Sequence, residues 1–172
     1  MTSRRILNFA LAVSLLVLGG CANAHARSTK DNPTMTDPTN PADDAAIRAA
    51  LTRYETALNT SDTDAVMKLY TDDGVFMPQH FPSAVGSTSV RKAYEGVFKA
   101  IQLNVKFEIL EVRQVAPNWA FARTNSAGTV KILADGSGGP EANQELFVLE
   151  KTDGGDWKIA RYSFSTTNPP RG

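Results

Sequence analysis

Between Asn143 and Ser165 the chain reads NQELFVLEKTDGGDWKIARYSFS, two alternating runs on either side of an Asp-Gly-Gly turn, each passing from polar to apolar as it nears the turn. With Thr152, Asp153 and Gly154 as a three-residue loop and a left-handed residue near Gly154, Lys151 faces Gly155. The register then pairs Leu149 with Trp157, Phe147 with Ile159, Glu145 with Arg161, and Asn143 with Ser163. Side chains alternate with period two, so all eight share one face. A strand lying on solvent is polar throughout, and a core strand is apolar throughout. A face that is dry at one end and charged at the other fits a sheet curled around a cavity, with the apolar end as plug and the polar end as lining.

The preceding strand, WAFARTNSAGTVKI, repeats the grading, with Trp119 and Phe121 followed by Arg123 and Asn125 on one parity. Two arginines against one glutamate make the expected pocket net positive, with Arg161 the partner of Glu145 and Arg123 free for ligand. A guanidinium fork suits a carboxylate, so a small acid or a polarised carbonyl compound is the ligand this pattern points to, with Asn143 and Ser163 beside it. The alternative for these charges is an exposed cross-strand ion pair, worth only about 0.2 to 1 kcal/mol. The opposite parity, Leu146, Val148, Ala160, Tyr162 and Phe164, is also apolar. A sheet apolar on both faces needs a second cover, which predicts a homodimer through the outer sheet face.

Upstream, Ile47, Leu51, Tyr54 and Leu58 recur at helical spacing from a cap at Asp44, and Asn59 ends that helix. Ser61 and Asp64 form a capping-box pattern that opens a shorter helix through Val66, Leu69 and Tyr70. Val75 to Met77 is a short strand ended by Pro78, and Val90, Tyr94, Val97 and Ile101 mark a third helix. Val105, Phe107 and Ile109 then fall on one parity and Leu110 and Val112 on the other, a phase slip that predicts a bulge. The order is helix, helix, strand, helix and a four-stranded antiparallel meander: an α+β domain, residues 44–168, with helices on one face of a curved sheet.

The N-terminus begins with Arg4 and Arg5 and an apolar run from Ile6 to Leu18, too short to span a bilayer comfortably and built like a secretory signal over residues 1–20. Leu18 to Cys21, LGGC, resembles a bacterial lipobox, which makes Cys21 the lipidation site of a periplasmic, outer-membrane-anchored lipoprotein. Cleavage after Ala26 at AHA is the rival. Residues 21–43, rich in Ala, Asn, Thr, Asp and Pro, read as a flexible tether. Cys21 is the sole cysteine, which excludes a disulfide within the chain and a zinc cluster. With 18 basic and 18 acidic residues there is no basic excess to suit a nucleic acid. No nucleotide, flavin or metal signature is present, so neither cofactor nor metal is expected.

The stretches RYETALNTSDTDAVMKLYTDDGVF, NQELFVLEK and WKIARYSFS resemble the nuclear transport factor 2-like superfamily, whose cone-shaped α+β barrels include SnoaL-like cyclases, ketosteroid isomerase and the association domain of calcium/calmodulin-dependent kinase II. Among subgroups the stretches are similar to SgcJ/EcaC. The resemblance implies a cone with an internal pocket over about Asp44 to Thr166. It places Tyr54 at the isomerase's tyrosine and Glu145 near its protonated acid. The isomerase's catalytic Asp is missing: Met77 or Pro78 stands there, with Gln79 and His80 just beyond. Tyr54, His80 and Glu145 are therefore the candidate catalytic residues of an acid/base reaction (isomerase, dehydratase or cyclase type), with ketosteroid isomerisation itself disfavoured. The competing expectation is a non-catalytic oligomerisation or ligand-sensing module, as in the kinase domain.

Overall fold

The computed structural model describes residues 39–169; the expected signal segment, Cys21 and the tether up to residue 38 lie outside them. Three helices and six strands follow one another as α1 (Pro41–Asn59), α2 (Thr63–Leu69), β1 (Tyr70–Met77), β2 (Ala84–Val85), α3 (Ser87–Ala100), β3 (Ile101–Ala116), β4 (Trp119–Ile132), β5 (Gly138–Lys151) and β6 (Trp157–Thr166). They build the expected α+β architecture, with the helices against one face of a single mixed sheet ordered β2-β1-β6-β5-β4-β3. Two features go beyond the expected meander. β1 is longer than Val75 to Met77 and pairs in parallel with β6, and the two-residue β2 covers its outer edge.

α1 starts four residues earlier than the Asp44 cap predicts. Asn40 accepts the Ala42 N–H at 2.9 Å, Pro41 supplies a preset φ in the first turn, and Asp43 and Asp44 sit where the helix dipole favours negative charge. The end of the expected tether is therefore helical. The stripe Ile47, Leu51, Tyr54 and Leu58 is buried as the spacing requires. In α2 the cap is Asp62, which accepts from Ala65 N at 2.9 Å, and Ser61 sits at a positive φ just before it.

β3 is an edge strand whose outward backbone groups need partners. α1 supplies them from side chains. Asn59 donates to Val105 O and accepts from Val105 N, both at 2.8 Å, and Glu55 accepts from Phe107 N at 2.7 Å. The other end of α1 is fastened through buried Asp43, which accepts from Lys151 Nζ at 2.7 Å, Trp157 Nε1 at 2.9 Å and Gln114 Nε2 at 3.3 Å. The Lys151 bond and then the Trp157 bond hold the Asp43 carboxyl below its ordinary range. A depressed folded pKa adds stability above the unfolded value and loses it as pH falls through the folded one. Asp43→Ala leaves the Trp157 indole N–H buried without its partner, and is expected to cost about 2 to 4 kcal/mol in urea unfolding at neutral pH. A loss under about 0.5 kcal/mol would show that this fastening is dispensable.

The bulge predicted in β3 is present: the register steps from Ile109 opposite Thr124 to Glu111 opposite Arg123, leaving Leu110 extra and 43 % exposed. The hairpin departs from the expected register twice. Its loop is five residues, Thr152 to Asp156, with the left-handed glycine at Gly155 (φ 88°), so Lys151 pairs with Trp157 and Leu149 with Ile159. That shift by two leaves every side chain on its expected face. The second departure does not. Ala160 is an extra residue between Leu149 opposite Ile159 and Val148 opposite Arg161, and from there to Thr166 the faces of β6 are exchanged.

Candidate functional site

On the inner face of β5 the row Glu141, Asn143, Glu145, Phe147 and Leu149 runs from polar to dry, the grading expected for this strand. Because of the Ala160 bulge, β6 sets Tyr162 opposite Phe147 and Phe164 opposite Glu145. Arg161 and Ser163 point to the other side, opposite Val148 and Leu146. The expected Glu145–Arg161 pair is thus corrected: Arg161 reaches Asp73, with Nη2 3.2 Å from Oδ2, on the outer face.

β4 has the expected parity but the opposite facing. Ala120, Ala122, Thr124 and Ser126 are buried, which turns Trp119, Phe121, Arg123 and Asn125 outward. Size fits this: Ala120 and Ala122 stand opposite the fully buried Leu149 and Phe147 of β5, and small side chains pack beside these large ones on the inner face. Arg123 donates from Nε to Glu111 at 2.8 Å, and this bond holds the Glu111 carboxyl below its usual range. The expected net-positive lining is therefore corrected too, since neither arginine reaches the interior.

A cavity of about 220 Å³ opens where the inner row turns polar. Tyr54, Glu145 and Asn143 of the expected site line it, together with Ser126, Glu141, Tyr94, Tyr162, Phe76, Phe107 and Phe164. Arg123, Arg161, Ser163 and His80 do not. His80 is exposed at φ 68° in the loop after β1, its ring 3.1 Å from Gln79 Nε2, while its neighbours Gln79 and Phe81 reach the cavity. The Met77/Pro78 position likewise offers no titratable group.

Glu145 is 5 % exposed; Thr124 Oγ1 and Ser126 Oγ donate to its two carboxylate oxygens at 2.5 Å each. Burial pushes its carboxyl above the ordinary range against the pull of these two hydroxyls, and Glu141 nearby adds to the rise. Between its unfolded and raised folded values the unfolded chain binds fewer protons, so this group makes the fold less stable as pH rises through that window. Glu145→Gln, which keeps hydrogen bonding to both hydroxyls because these can reverse roles, is expected to unfold at higher urea than the parent at pH 7 and to lose that advantage near pH 4. Equal midpoints at both pH values would show that the carboxyl carries no burial strain.

All four tyrosines of the chain meet on the inner side. Tyr94 Oη lies 2.5 Å from Tyr54 Oη and 3.0 Å from Tyr70 Oη, and Tyr54 packs edge-on against Tyr162 with ring centroids 5.4 Å apart. Burial drives the phenols of Tyr54, Tyr70, Tyr94 and Tyr162 well up, so the hydroxyl chain is neutral and keeps its protons at physiological pH. The sequence marks Tyr94 only as a helix-stripe residue, and nothing local connects it to Tyr54. Thr124 and Ser126 carried a signal: they are the polar members of a row that begins with two alanines, the mark of a close-packed inner face.

A curved sheet closed by helices around a small, mostly apolar cavity with two carboxyl groups at one end defines a cone-shaped α+β domain. Residues 51–162, well over half the chain, match the SnoaL-like domain, and the chain belongs to that family. Among solved structures it is similar to a ketosteroid isomerase-like protein from Erwinia carotovora atroseptica SCRI1043, at 42% identity and TM-score 0.71, over 73% of this chain and 96% of that one. It shares its fold with a nuclear transport factor 2-like superfamily protein from Salmonella enterica serovar Typhimurium LT2, at 16% identity and TM-score 0.64, over 73% and 91% of the two chains. The same fold is found in a type 2 hexachlorocyclohexane dehydrochlorinase, at 12% identity and TM-score 0.66, over 74% and 86%. No curated protein matches the chain.

Proposed function

We propose that this SnoaL-like domain binds a small molecule in the cavity and that Glu145 exchanges protons with it, in chemistry of the isomerase or dehydratase type. The observation that carries this reading is Glu145 itself. It is a buried carboxyl on the cavity wall, raised in basicity and held in orientation by two hydroxyls, with no Lys, Arg or His among the described residues that line the cavity. A carboxylate so placed takes a proton from a carbon next to a carbonyl, or from a hydroxyl, more readily than a solvated one, and returns it elsewhere on the same molecule. The Tyr54–Tyr94–Tyr70 chain, of which Tyr54 and Tyr94 line the cavity, has one hydroxyl proton not used between its members and supplies it as a neutral donor for the oxygen on which charge develops. With Met77 and Pro78 in the place of the isomerase's base and His80 turned to solvent, Glu145 carries the proton transfer.

The test is a screen of one-ring ketones and alcohols by ligand-observed nuclear magnetic resonance, repeated on Val97→Trp, which fills the cavity from α3. Hits are expected to vanish in the filled variant, and bound ketones to gain deuterium from heavy water next to the carbonyl, at least about 100-fold faster than with Glu145→Gln. Hits indifferent to Val97→Trp would remove the cavity reading, and binding without exchange would remove the proton transfer.

The same reading includes export as a lipoprotein anchored through Cys21, for which palmitate labelling lost in Cys21→Ser is the check. It also includes a homodimer through the outer sheet face. There Leu146, 46 % exposed, and Leu110, 43 % exposed, lie among Phe121, Val148, Arg113, Arg123 and Arg161. Leu146→Glu is expected to convert a sedimenting dimer to monomer; a parent already monomeric at high micromolar concentration would remove the dimer.

A further inference from the structure

The polar groups of the cavity are gathered on the inner row of β5 and the facing Ser126 of β4, and what they offer is one-sided. Asn143 is 9 % exposed. Its Nδ2 donates to Glu141 Oε1 at 2.8 Å, while its Oδ1 is buried with no hydrogen-bond partner among the described residues. A buried acceptor without a donor is desolvated with no compensating bond, so the site calls for a donor brought by the ligand. Glu145 accepts from two hydroxyls and, as a carboxylate, has lone pairs to spare.

Glu141 and Glu145 bring two carboxyl groups to this end, and no Lys, Arg or His is among the described residues that line the cavity. An anion entering here would meet like charge and an unmatched acceptor. Beyond the polar end the walls are apolar, aromatic from residues such as Phe107 and Phe164 and aliphatic from residues such as Val97 and Leu103, which suits a hydrocarbon body behind the polar head. At about 220 Å³ the space lies below the ~300 to 1,000 Å³ usual for ligand sites, which limits the guest to a small one.

We infer that the ligand is a small organic ammonium: an apolar body of about one ring among the aromatic side chains, with its N–H groups on Asn143 Oδ1 and the carboxylates of Glu141 and Glu145. The inference rests on reading the cavity as a small-molecule site and names the chemical class it takes. It also reverses the acid expected from the hairpin, because the two arginines that argued for an anion lie on the other side of the sheet, and it leaves a carbonyl elsewhere on an ammonium ligand open to the proton transfer.

The test uses three probes on one skeleton, benzylamine as its ammonium ion, benzyl alcohol and benzoate, titrated calorimetrically into the intact folded protein at pH 7. Benzylammonium is expected to bind at least about tenfold more tightly than benzyl alcohol, and benzoate not at all. Asn143→Leu and Glu141→Gln are each expected to weaken benzylammonium about tenfold while changing benzyl alcohol less than about threefold. Glu141 is half-buried, so Glu141→Gln decides the matter where Asn143→Leu does not fold. Benzyl alcohol or benzoate binding as tightly as benzylammonium overturns the ammonium assignment and leaves the cavity reading standing. Unchanged binding of benzylammonium to Glu141→Gln overturns that assignment in the same way. Failure of all three probes to bind, with no cavity-dependent hit in the wider screen, overturns both.

Discussion

Tyr162→Ala is expected to cost about 3 to 5 kcal/mol in urea unfolding, whereas a chain lacking Ala160 is expected to keep its fold. Tyr162 is 4 % exposed and stacks on Phe147 with ring centroids 4.4 Å apart and on Phe76 at 5.6 Å. It faces inward because Ala160 stands outside the ladder as an extra residue. Were Ala160 paired in plain alternation from Trp157, Arg161 and Ser163 would turn inward and Tyr162 and Phe164 outward. Deleting Ala160 removes the bulge instead: Arg161 then follows Ile159 directly, and regular alternation keeps Tyr162 and Phe164 inside. Near-ultraviolet circular dichroism and urea unfolding of the two variants decide the point, with the deletion expected to lose less than about 2 kcal/mol. A deletion protein that loses cooperative unfolding would mean that the bulge does more than set the faces of β6.

Tyr94→Phe is expected to cost about 2 to 4 kcal/mol, and Tyr70→Phe about 1 kcal/mol, although each removes a single oxygen. The difference lies in position. Tyr94 Oη is the middle of the hydroxyl chain, and among the described residues it is the one hydrogen-bond partner of both Tyr54 Oη and Tyr70 Oη. Its loss strands two buried hydroxyls, while loss of Tyr70 Oη removes a terminal member and leaves the Tyr54–Tyr94 bond in place. Urea unfolding of the two variants side by side is the measurement. Equal costs would show that the chain does not act as a connected unit. Because Tyr94 lines the cavity and Tyr70 is not among its lining residues, the same pair of variants also separates the network's part in stability from its part in ligand binding.

Much of the fold was legible in the residues. The α1 stripe from Ile47 to Leu58, the α3 stripe through Val90 and Tyr94, the bulge at Leu110 and the graded inner face of β5 all follow from local spacing, and the structure contains each of them. Of the candidate site, Tyr54, Asn143 and Glu145 lie on the cavity wall, while Arg123, Arg161, Ser163 and His80 lie outside it. The four outside share a cause. The facing of each depends on a residue count along a strand or into a loop from a distant reference, and one inserted residue, one inverted face or one left-handed φ at His80 is enough to send a side chain to the other side.

Residue order alone determined the three helices and the four meander strands, though not β2 or the first half of β1, because periods of 3.6 and 2 are written locally and each apolar stripe must be buried whatever covers it. It also determined that β5 has one wet and one dry end. Which face of β4 and β6 turns inward was decided only by assembly. The alanines of β4 face inward because small side chains pack beside the large Phe147 and Leu149 of β5, and β6 bulges at Ala160 because Tyr162 and Phe164 bury more apolar surface than Arg161 and Ser163 would. That choice, made by volume and desolvation across the whole domain, put the arginines outside and left an acid, an unpaired amide oxygen and aromatic rings to define the cavity.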